Sequence, residues 1–157
     1  MIGLNPLSDA ERFQIRLAKS ADANTLASLA EQLGYPSSLH AITTRLETLL
    51  HLDDHALFVA HMAGQVCGWV HVFTAHRLES DDFAEIGGLV VDATRRGQGI
   101  GRALVGAAEA WALSQGLNTV RVRSNVVRTG AHRFYTRLGY ASLKQSTVFV
   151  RFLEPRG

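Results

Sequence analysis

Two strand-like segments separated by one long amphipathic helix constrain the fold of this chain more than any other feature. "AEIGGLVV" (residues 84–91) is largely apolar, and "NTVRVRS" (residues 118–124) alternates polar and apolar side chains. Between them, apolar residues follow a 3.6-residue period from Gly99 to Gln115, which predicts a helix that ends at Gly116. Because such a helix joins parallel strands through a right-handed crossover, we expect these two strands to be parallel neighbours.

The remaining segments predict a mixed sheet with helices packed on it. Further strands are predicted at residues 13–18, 56–62, 65–75 and 146–153. Helices are predicted at residues 20–34, with Asp22 as N-cap, at residues 37–50, and before Gly139. Ala63-Gly64 marks a hairpin turn, and short turns make the second to fourth strands antiparallel. The predicted class is α/β (an α+β mixed sheet), in the order β-α-α-β-β-β-α-β-α-β.

Length and composition narrow the class of protein. The chain has 157 residues, enough for one domain over residues 1–157, with residues 1–11 expected to be a loose leader. Polar residues interrupt every apolar run, so no membrane span is expected, and the N-terminus lacks the pattern of a signal peptide. The net charge of +2 does not favour nucleic-acid binding, and the single cysteine, Cys67, fits a reducing cytoplasm.

"RRGQGIG" (residues 95–101) places three glycines at the start of the long helix. Gly97, Gly99 and Gly101 each weaken a helix by roughly 1 kcal/mol relative to alanine, so helix stability does not explain them. The free N–H groups of a first helical turn carry a partial positive charge and favour an anion such as phosphate. Glycine lets that anion approach, and the flanking arginines add positive charge. A glycine-rich helix start without any ligand is the alternative interpretation.

The glycine spacing distinguishes between the known phosphate-binding motifs. A dinucleotide motif would need glycine in place of Arg102 or Leu104, and the Gly-Lys-Ser/Thr of a P-loop is absent. The chain instead has Arg96-x-x-Gly99-x-Gly101, entered from "LVVDATR". This motif, the order of elements and "AHRFYTRLGY" (residues 131–140) resemble the GNAT superfamily, the acyl-CoA-dependent N-acyltransferases, over nearly the whole chain.

The resemblance implies that acetyl-CoA is the acyl donor. It implies that the N–H groups from Arg96 to Arg102 bind the pyrophosphate and that the pantetheine arm pairs with the backbone of Leu89–Val91. Such pairing needs a gap between the fourth and fifth strands, which a bulge at Gly87-Gly88 would supply. Ala93 stands where the family often has proline. The residues so implied in cofactor binding are Leu89, Val90, Val91, Arg96, Gly97, Gln98, Gly99, Ile100, Gly101 and Arg102.

Amine acetylation needs a base, because an alkylammonium has a pKa near 10 and only the neutral amine attacks. Glu85 begins a strand that resembles the base-bearing strand of the family, and the same alignment turns the Leu89 N–H toward the thioester oxygen. Tyr135 lies at the position of the family tyrosine that is placed near the CoA sulfur, where it would act as the acid. A solvated carboxylate and a core aromatic residue are the alternatives for these two side chains.

Two further residues follow from the same resemblance. The family often has an asparagine three residues before the alanine that opens its last helix, but Arg128 stands there, and Asn125 lies three residues earlier. Either Asn125 still reaches the pantetheine, or Arg128 contacts a CoA phosphate. His51 and His55 are four residues apart across a predicted helix end, so no metal site is expected.

The predicted function is transfer of an acetyl group from acetyl-CoA to the primary amine of a small molecule by direct attack. A protein N-terminus or lysine as acceptor and a non-catalytic acyl-CoA-binding module are the alternatives. The expected partners are acetyl-CoA and an amine, with no nucleic acid and no membrane. A homodimer is one option, since "TVFVRFL" (residues 147–153) offers a strand for pairing at a subunit edge.

Overall fold

The computed structural model describes residues 12–124 and 129–155. Its strands are β1 (Gln14–Leu17), β2 (His55–Met62), β3 (Gln65–Ala75), β4 (Phe83–Val91) and β5 (Val120–Val122). Its helices are α1 (Ala23–Gln32), α2 (Leu39–Leu50), α3 (Ile100–Ser114) and α4 (Thr129–Arg137), with 3-10 turns at Ser20–Asp22 and Ala93–Arg95. The predicted element order is confirmed up to the last helix, and the predicted α/β class with a mixed sheet is confirmed.

The five strands lie in the sheet in their order along the chain, β1-β2-β3-β4-β5. The pairs from β1 to β4 are antiparallel, and β4 pairs with β5 in parallel. Ala63 and Gly64 join β2 to β3 with φ values of 49° and 81°, the left-handed conformation of a tight hairpin turn. The predicted hairpin and the predicted parallel crossover through α3 are both confirmed.

Each face of the sheet carries helices. On one face α3 approaches β3 so closely that a Cβ atom added to Gly68 would lie 3.1 Å from Cδ1 of Leu104. The side chains that α3 buries are Ile100, Leu104, Val105, Ala108 and Ala112. On the other face α1 and α2 pack on alternate residues of β2 and β3. That cluster comprises Ala18, Ala23, Leu26, Leu46, Leu57 and Val59, with Ile42, Val66 and Trp69 packed against it.

Asp22 has a different role from the predicted helix cap. Its side chain makes no cap hydrogen bond to α1. Its two carboxylate oxygens instead accept hydrogen bonds from Arg16 on β1, at 2.8 and 2.9 Å, and one oxygen also accepts from the N–H of Lys19. The Arg16 guanidinium is the main reason that the pKa of Asp22 lies below its usual value. The buried carboxylate therefore ties the first strand to the start of α1.

The predicted last strand at residues 146–153 is wrong in the structure. Residues 141–155 form neither helix nor strand. Val148, Phe149 and Val150 are exposed in succession, so neither side of the alternating pattern is buried. A β-strand is stabilised by a ladder partner and by packing of one face, and among the described residues this segment has no ladder partner.

The chain divides into two compact units, Met1–Arg123 and Ser124–Gly157. The sheet, α1, α2 and α3 belong to the first unit, and α4 belongs to the second. The prediction of a single domain over residues 1–157 stays a prediction. Within the described residues, no helix has the length and apolar character needed to cross a bilayer.

Candidate active site

Glu85 lies in the interior of the sheet, because β4 runs between β3 and β5. It pairs with Phe73 on β3 and with Arg121 on β5. Its side chain is only 13% exposed, and its Oε1 lies 3.3 Å from Nε of Arg123, which is itself largely exposed. The alternative of a solvated edge carboxylate is therefore wrong. Glu85 is a nearly buried carboxylate held by one guanidinium.

A β-bulge interrupts β4 two residues after Glu85. Ile86 pairs with Val72 and Gly88 pairs with His71, so Gly87 has no partner on β3. Added Cβ atoms would lie 3.1 Å from Cε1 of Phe73 at Gly87 and 2.8 Å from the ring of Trp69 at Gly88. The predicted bulge is confirmed, and the absence of a side chain at both glycines lets aromatic rings of β3 pack closely against their backbone on the face that bears Glu85.

The described pairing between β4 and β5 is short. Their parallel ladder covers only residues 84–86 of β4 and 120–122 of β5. From Gly87 to Val91, β4 has no ladder partner on that side among the described residues. Leu89 and Val91 are half-buried there and Val90 is buried. The predicted gap between these strands agrees with this short ladder and stays a prediction.

Hydrogen bonds of Asp92 and Ala93 hold the segment between β4 and α3. Asp92 accepts the N–H of Thr94, which lowers the pKa of this carboxyl, and Ala93 donates its N–H to the Gln32 side chain on α1. The backbone N–H groups from Arg96 to Arg102 have no acceptor in the described part of the chain. Both of those arginines are exposed. The start of α3 therefore presents unpaired donors and positive charge to solvent.

Gly97 and Gly99 allow an unusual backbone conformation and also leave open space around the turn. Their φ values are +80° and +84°, in the left-handed region that other L-residues rarely adopt. Nothing lies within 4 Å of a Cβ atom added to either residue. The expectation that these glycines only make room was incomplete, because the turn itself needs them. Gly101 lies inside α3, one residue after its start.

Tyr135 belongs to the second unit and is described within it. It lies on the less exposed face of α4 with Ala131, as predicted, and Leu138, just after the end of the helix, is also half-buried. Burial raises the pKa of its hydroxyl to about 12, and its ring packs edge-on against Phe134 and Tyr140. Its hydroxyl is therefore protonated at neutral pH. The predicted site residues Asn125 and Arg128 lie outside the described residues.

Three contacts on the face that bears Glu85 were not predicted from the sequence. Arg123 forms an ion pair with Glu85, and Arg121 lies 4.0 Å from the Phe83 ring centroid. The third contact is a hydrogen bond of 2.9 Å between His55 and His71. The alternation of arginine with valine in "VRVR" places Arg121 and Arg123 on one face of the chain, which is the signal that could have linked Arg123 to the neighbouring strand.

Cys67 and His51 have structural roles. Cys67 is buried, and burial raises the pKa of its thiol, which favours a core residue over a nucleophile. His51 bonds the carbonyl of Glu47 through Nδ1, so it is engaged apart from His55. No three histidine, cysteine, aspartate or glutamate side chains converge as metal ligands within residues 12–124 and 129–155.

Comparisons of the sequence with known proteins all point to acetyltransferases. The profile of the Acetyltransferase (GNAT) family matches residues 23–140. An uncharacterized N-acetyltransferase of Methanocaldococcus jannaschii is 32% identical over 113 residues, 68% of this chain and 48% of that protein. The chain thus spans about half the length of that relative. An aminoglycoside N(6')-acetyltransferase type 1 of Stenotrophomonas maltophilia is 26% identical over 145 residues, 90% of this chain and 94% of that protein.

Solved structures share the fold at lower sequence identity. The aminoglycoside N-acetyltransferase AAC(6')-Iy in complex with CoA superimposes with a TM-score of 0.84 and 19% identity, over 94% of this chain and 99% of that one. At that identity the likeness concerns the fold alone. Since the family profile matches most of the sequence, and since the sheet, the β4 bulge and the glycine-rich start of α3 fit it, this chain belongs to the GNAT acetyltransferase family.

Proposed function

We propose that this chain is an N-acetyltransferase that moves an acetyl group from acetyl-CoA to a primary amine of a small molecule. One observation carries the proposal: a nearly buried carboxylate, Glu85, lies two residues before a bulge in an interior strand whose residues 87–91 have no described ladder partner on one side. Backbone groups without a ladder partner offer donors and acceptors to an extended ligand. The carboxylate beside it offers a base to an amine.

The residues at the start of α3 fit the pyrophosphate of the acyl donor. Unpaired N–H groups from Arg96 to Arg102, open space above Gly97 and Gly99, and two exposed arginines are the features that a diphosphate needs. The pantetheine arm would then pair with Leu89–Val91, where β4 lacks a neighbour. Asn125 and Arg128 stay candidates for further contacts with CoA.

The proposed chemistry is a direct transfer of the acetyl group. Glu85 takes a proton from the acceptor ammonium, and the neutral amine attacks the thioester carbonyl carbon. The N–C bond forms while the Leu89 N–H stabilises the developing oxyanion. The C–S bond then breaks, and the Tyr135 hydroxyl gives its proton to the leaving thiolate. The role of Tyr135 rests on its place in the family motif and on its protonated state.

The acceptor class is supported by a relative. One relative named as an aminoglycoside acetyltransferase aligns along nearly its whole length with this chain, which favours a small molecule with an exposed primary amine. A peptide or protein amine and a non-catalytic role are the competing proposals. We also propose a cytoplasmic location, which suits the one unpaired cysteine, and keep a homodimer through residues 147–153 as a proposal.

Thiol release tests the proposed function directly. With acetyl-CoA and separate panels of aminoglycosides, polyamines, amino acids and lysine-containing peptides, we expect CoA thiol to appear with at least one small amine and at a lower rate with peptides. The acetylated amine, identified by mass, must appear in equal amount. Release with peptides alone would favour a protein acceptor, and binding of acetyl-CoA without release from any amine would favour the non-catalytic module.

Gly99→Ala tests the pyrophosphate site. We expect the affinity for CoA to fall about tenfold, or about 1.4 kcal/mol, because a methyl group then occupies the open space where a phosphate oxygen would approach. Gly116→Ala is the matched control, since Gly116 follows the other end of α3 with φ +77° and equally open space. Calorimetric titration with CoA measures both. Equal affinities for the two folded variants would contradict the site.

Glu85→Gln tests the base. The substitution keeps the shape of the side chain and removes its ability to accept a proton, so kcat/KM near neutral pH should fall by about a hundredfold. The loss should shrink toward pH 10, where more of the amine is already neutral. The exposed Glu109→Gln on α3 is the control and should behave as the unsubstituted protein. Rate profiles that stay parallel at every pH would show that Glu85 is not the base.

Tyr135→Phe tests the acid. Only the hydroxyl is lost, so the affinity for acetyl-CoA should stay unchanged while kcat falls by roughly ten to a thousandfold. Tyr140→Phe removes a hydroxyl from the adjacent ring and should leave kcat close to that of the unsubstituted protein. If Tyr135→Phe turns over a good amine at the normal rate, Tyr135 has only a packing role.

A further inference from the structure

His55, His71 and Phe73 form a stack on the sheet face that bears Glu85. The register places His55 opposite Phe73, and Phe73 opposite Glu85 on β4, so these side chains share one face. The ring centroids of the two histidines are 5.2 Å apart, and those of His55 and Phe73 are 5.1 Å apart. Nδ1 of His55 and Nε2 of His71 are joined by a hydrogen bond of 2.9 Å. The acetyl-transfer steps proposed above leave both histidines without a role.

The inner end of this pair borders the β4 bulge. A Cβ atom added to Gly87 would lie 3.2 Å from Nδ1 of His71, so this nitrogen packs against the backbone of Gly87. Gly87 is exposed although its strand is interior. Nδ1 of His71 has no hydrogen-bond partner among the residues that the structure describes. A group bound against the exposed backbone of Gly87 would therefore lie next to this nitrogen.

The outer end of the pair reaches solvent. His55 begins β2, and its side chain is 21% exposed. Its Nε2 lies 3.8 Å from Oδ1 of Asp54, whose side chain is 50% exposed. That separation is longer than a hydrogen bond. A small movement of either side chain, or a bridging water molecule, would connect the two atoms. The two imidazoles therefore connect the exposed backbone at Gly87 with the protein surface at Asp54.

His71 is neutral at physiological pH. Burial, and after it the neighbouring His55, lower its pKa to about 4. The charged and titratable groups nearest the pair on this face are Glu85, with Arg123 against it and Arg121 opposite it, and Asp54 beside His55. Farther along the same face lie His61 and Arg16, and Arg16 binds Asp22. The helical side chains packed on the neighbouring part of this face are apolar; they are Leu26, Ile42 and Leu46. A neutral imidazole has one donor and one acceptor nitrogen, as the passage of a proton requires.

We propose that His71 and His55 form a proton relay that carries a proton from the acceptor nitrogen beside Gly87 to solvent at Asp54. The proposal rests on the proposed acetyl transfer. In the resting protein Nε2–H of His71 donates to Nδ1 of His55, and the Nδ1 lone pair of His71 lies beside Gly87. When the acceptor nitrogen gives a proton to Nδ1 of His71, the Nε2 proton passes to His55. The Nε2 proton of His55 then leaves to Asp54 or water.

The proton balance of the reaction calls for such an exit. An ammonium nitrogen that becomes an amide nitrogen loses two protons, and the CoA thiol retains the equivalent of one. Glu85 accepts the first and later releases it, while Tyr135 gives one to the thiolate and later regains one, so these two changes cancel. The second proton leaves the nitrogen as the amide forms, and the relay delivers it to solvent. After the tautomers of both rings reset, no charge remains on either histidine.

Three variants test the relay in an active preparation: His71→Phe, His55→Phe and the double variant. Phenylalanine keeps an aromatic ring in the stack but cannot transfer a proton. Each single variant should lower kcat about tenfold or more with the affinity for acetyl-CoA unchanged, and the double variant should lose no more than the worse single variant, because one break stops the relay. His61→Phe, also on β2 but outside the stack, is the matched control and should keep the normal kcat.

The outcomes separate the relay from packing and from the proposed function. If His55→Phe keeps full kcat, or if the two losses multiply, the relay is wrong. If His71→Phe does not fold, His55→Phe at the partly exposed strand start decides the question alone. Absence of turnover by the unsubstituted protein with every amine would overturn the proposed function instead.

A spectroscopic measurement tests the pair independently of activity. Nitrogen-15 chemical shifts of the imidazoles report which ring nitrogen carries the proton. We expect His71 to be neutral at pH 7 with its proton on Nε2, and His55→Phe to change the Nε2 shift of His71. A proton on Nδ1 of His71, or a charged His71 at pH 7, would overturn the relay whether or not an acceptor amine has been found.

Discussion

Burial of one side of α3 against the centre of the sheet is the constraint on which the rest of the first unit depends. Ile100 and Leu104 are almost completely buried at the start of this helix, close to Gly68 on β3. That contact fixes where α3 begins, and so fixes the segment that leaves β4 and turns through Gly97 and Gly99. The donors at the helix start and strand β4 are consequently held by the same core.

Much of this arrangement follows from local sequence patterns. The 3.6-residue period of α3, the Ala63-Gly64 turn and the glycine pair in β4 each predict one structural feature, and each is present. Such signals are readable because they depend on residues close together in the chain. The parallel pairing of β4 with β5 is also predictable, since a helix between two strands leaves few other connections. The class of ligand follows only through the family motif.

Contacts that depend on register were not predictable. An unbroken hairpin ladder from Met62 and Gln65 would place His55 opposite Val72. The ladder shifts between Ala60 and His61, where Cys67 is the extra residue on β3, and this bulge places His55 opposite Phe73. One residue of shift turns the side chain to the other face, so the histidine stack exists only because of that bulge. The Glu85–Arg123 pair likewise needs the β4–β5 register. The prediction of the last strand was wrong because its alternating pattern has no pairing partner among the described residues.

The short ladder between β4 and β5 has a consequence for folding and for motion. It joins segments separated by the whole of α3, and it pairs only residues 84–86 with residues 120–122, whereas β3 and β4 pair along most of their length. A non-local contact of this size forms late in folding and is a small cooperative unit once formed. Its amide hydrogens should exchange through local opening at a lower free energy than those of β2 and β3. The side of the sheet next to Glu85 is therefore the side that separates most readily, in fluctuations that leave the core beneath α3 folded.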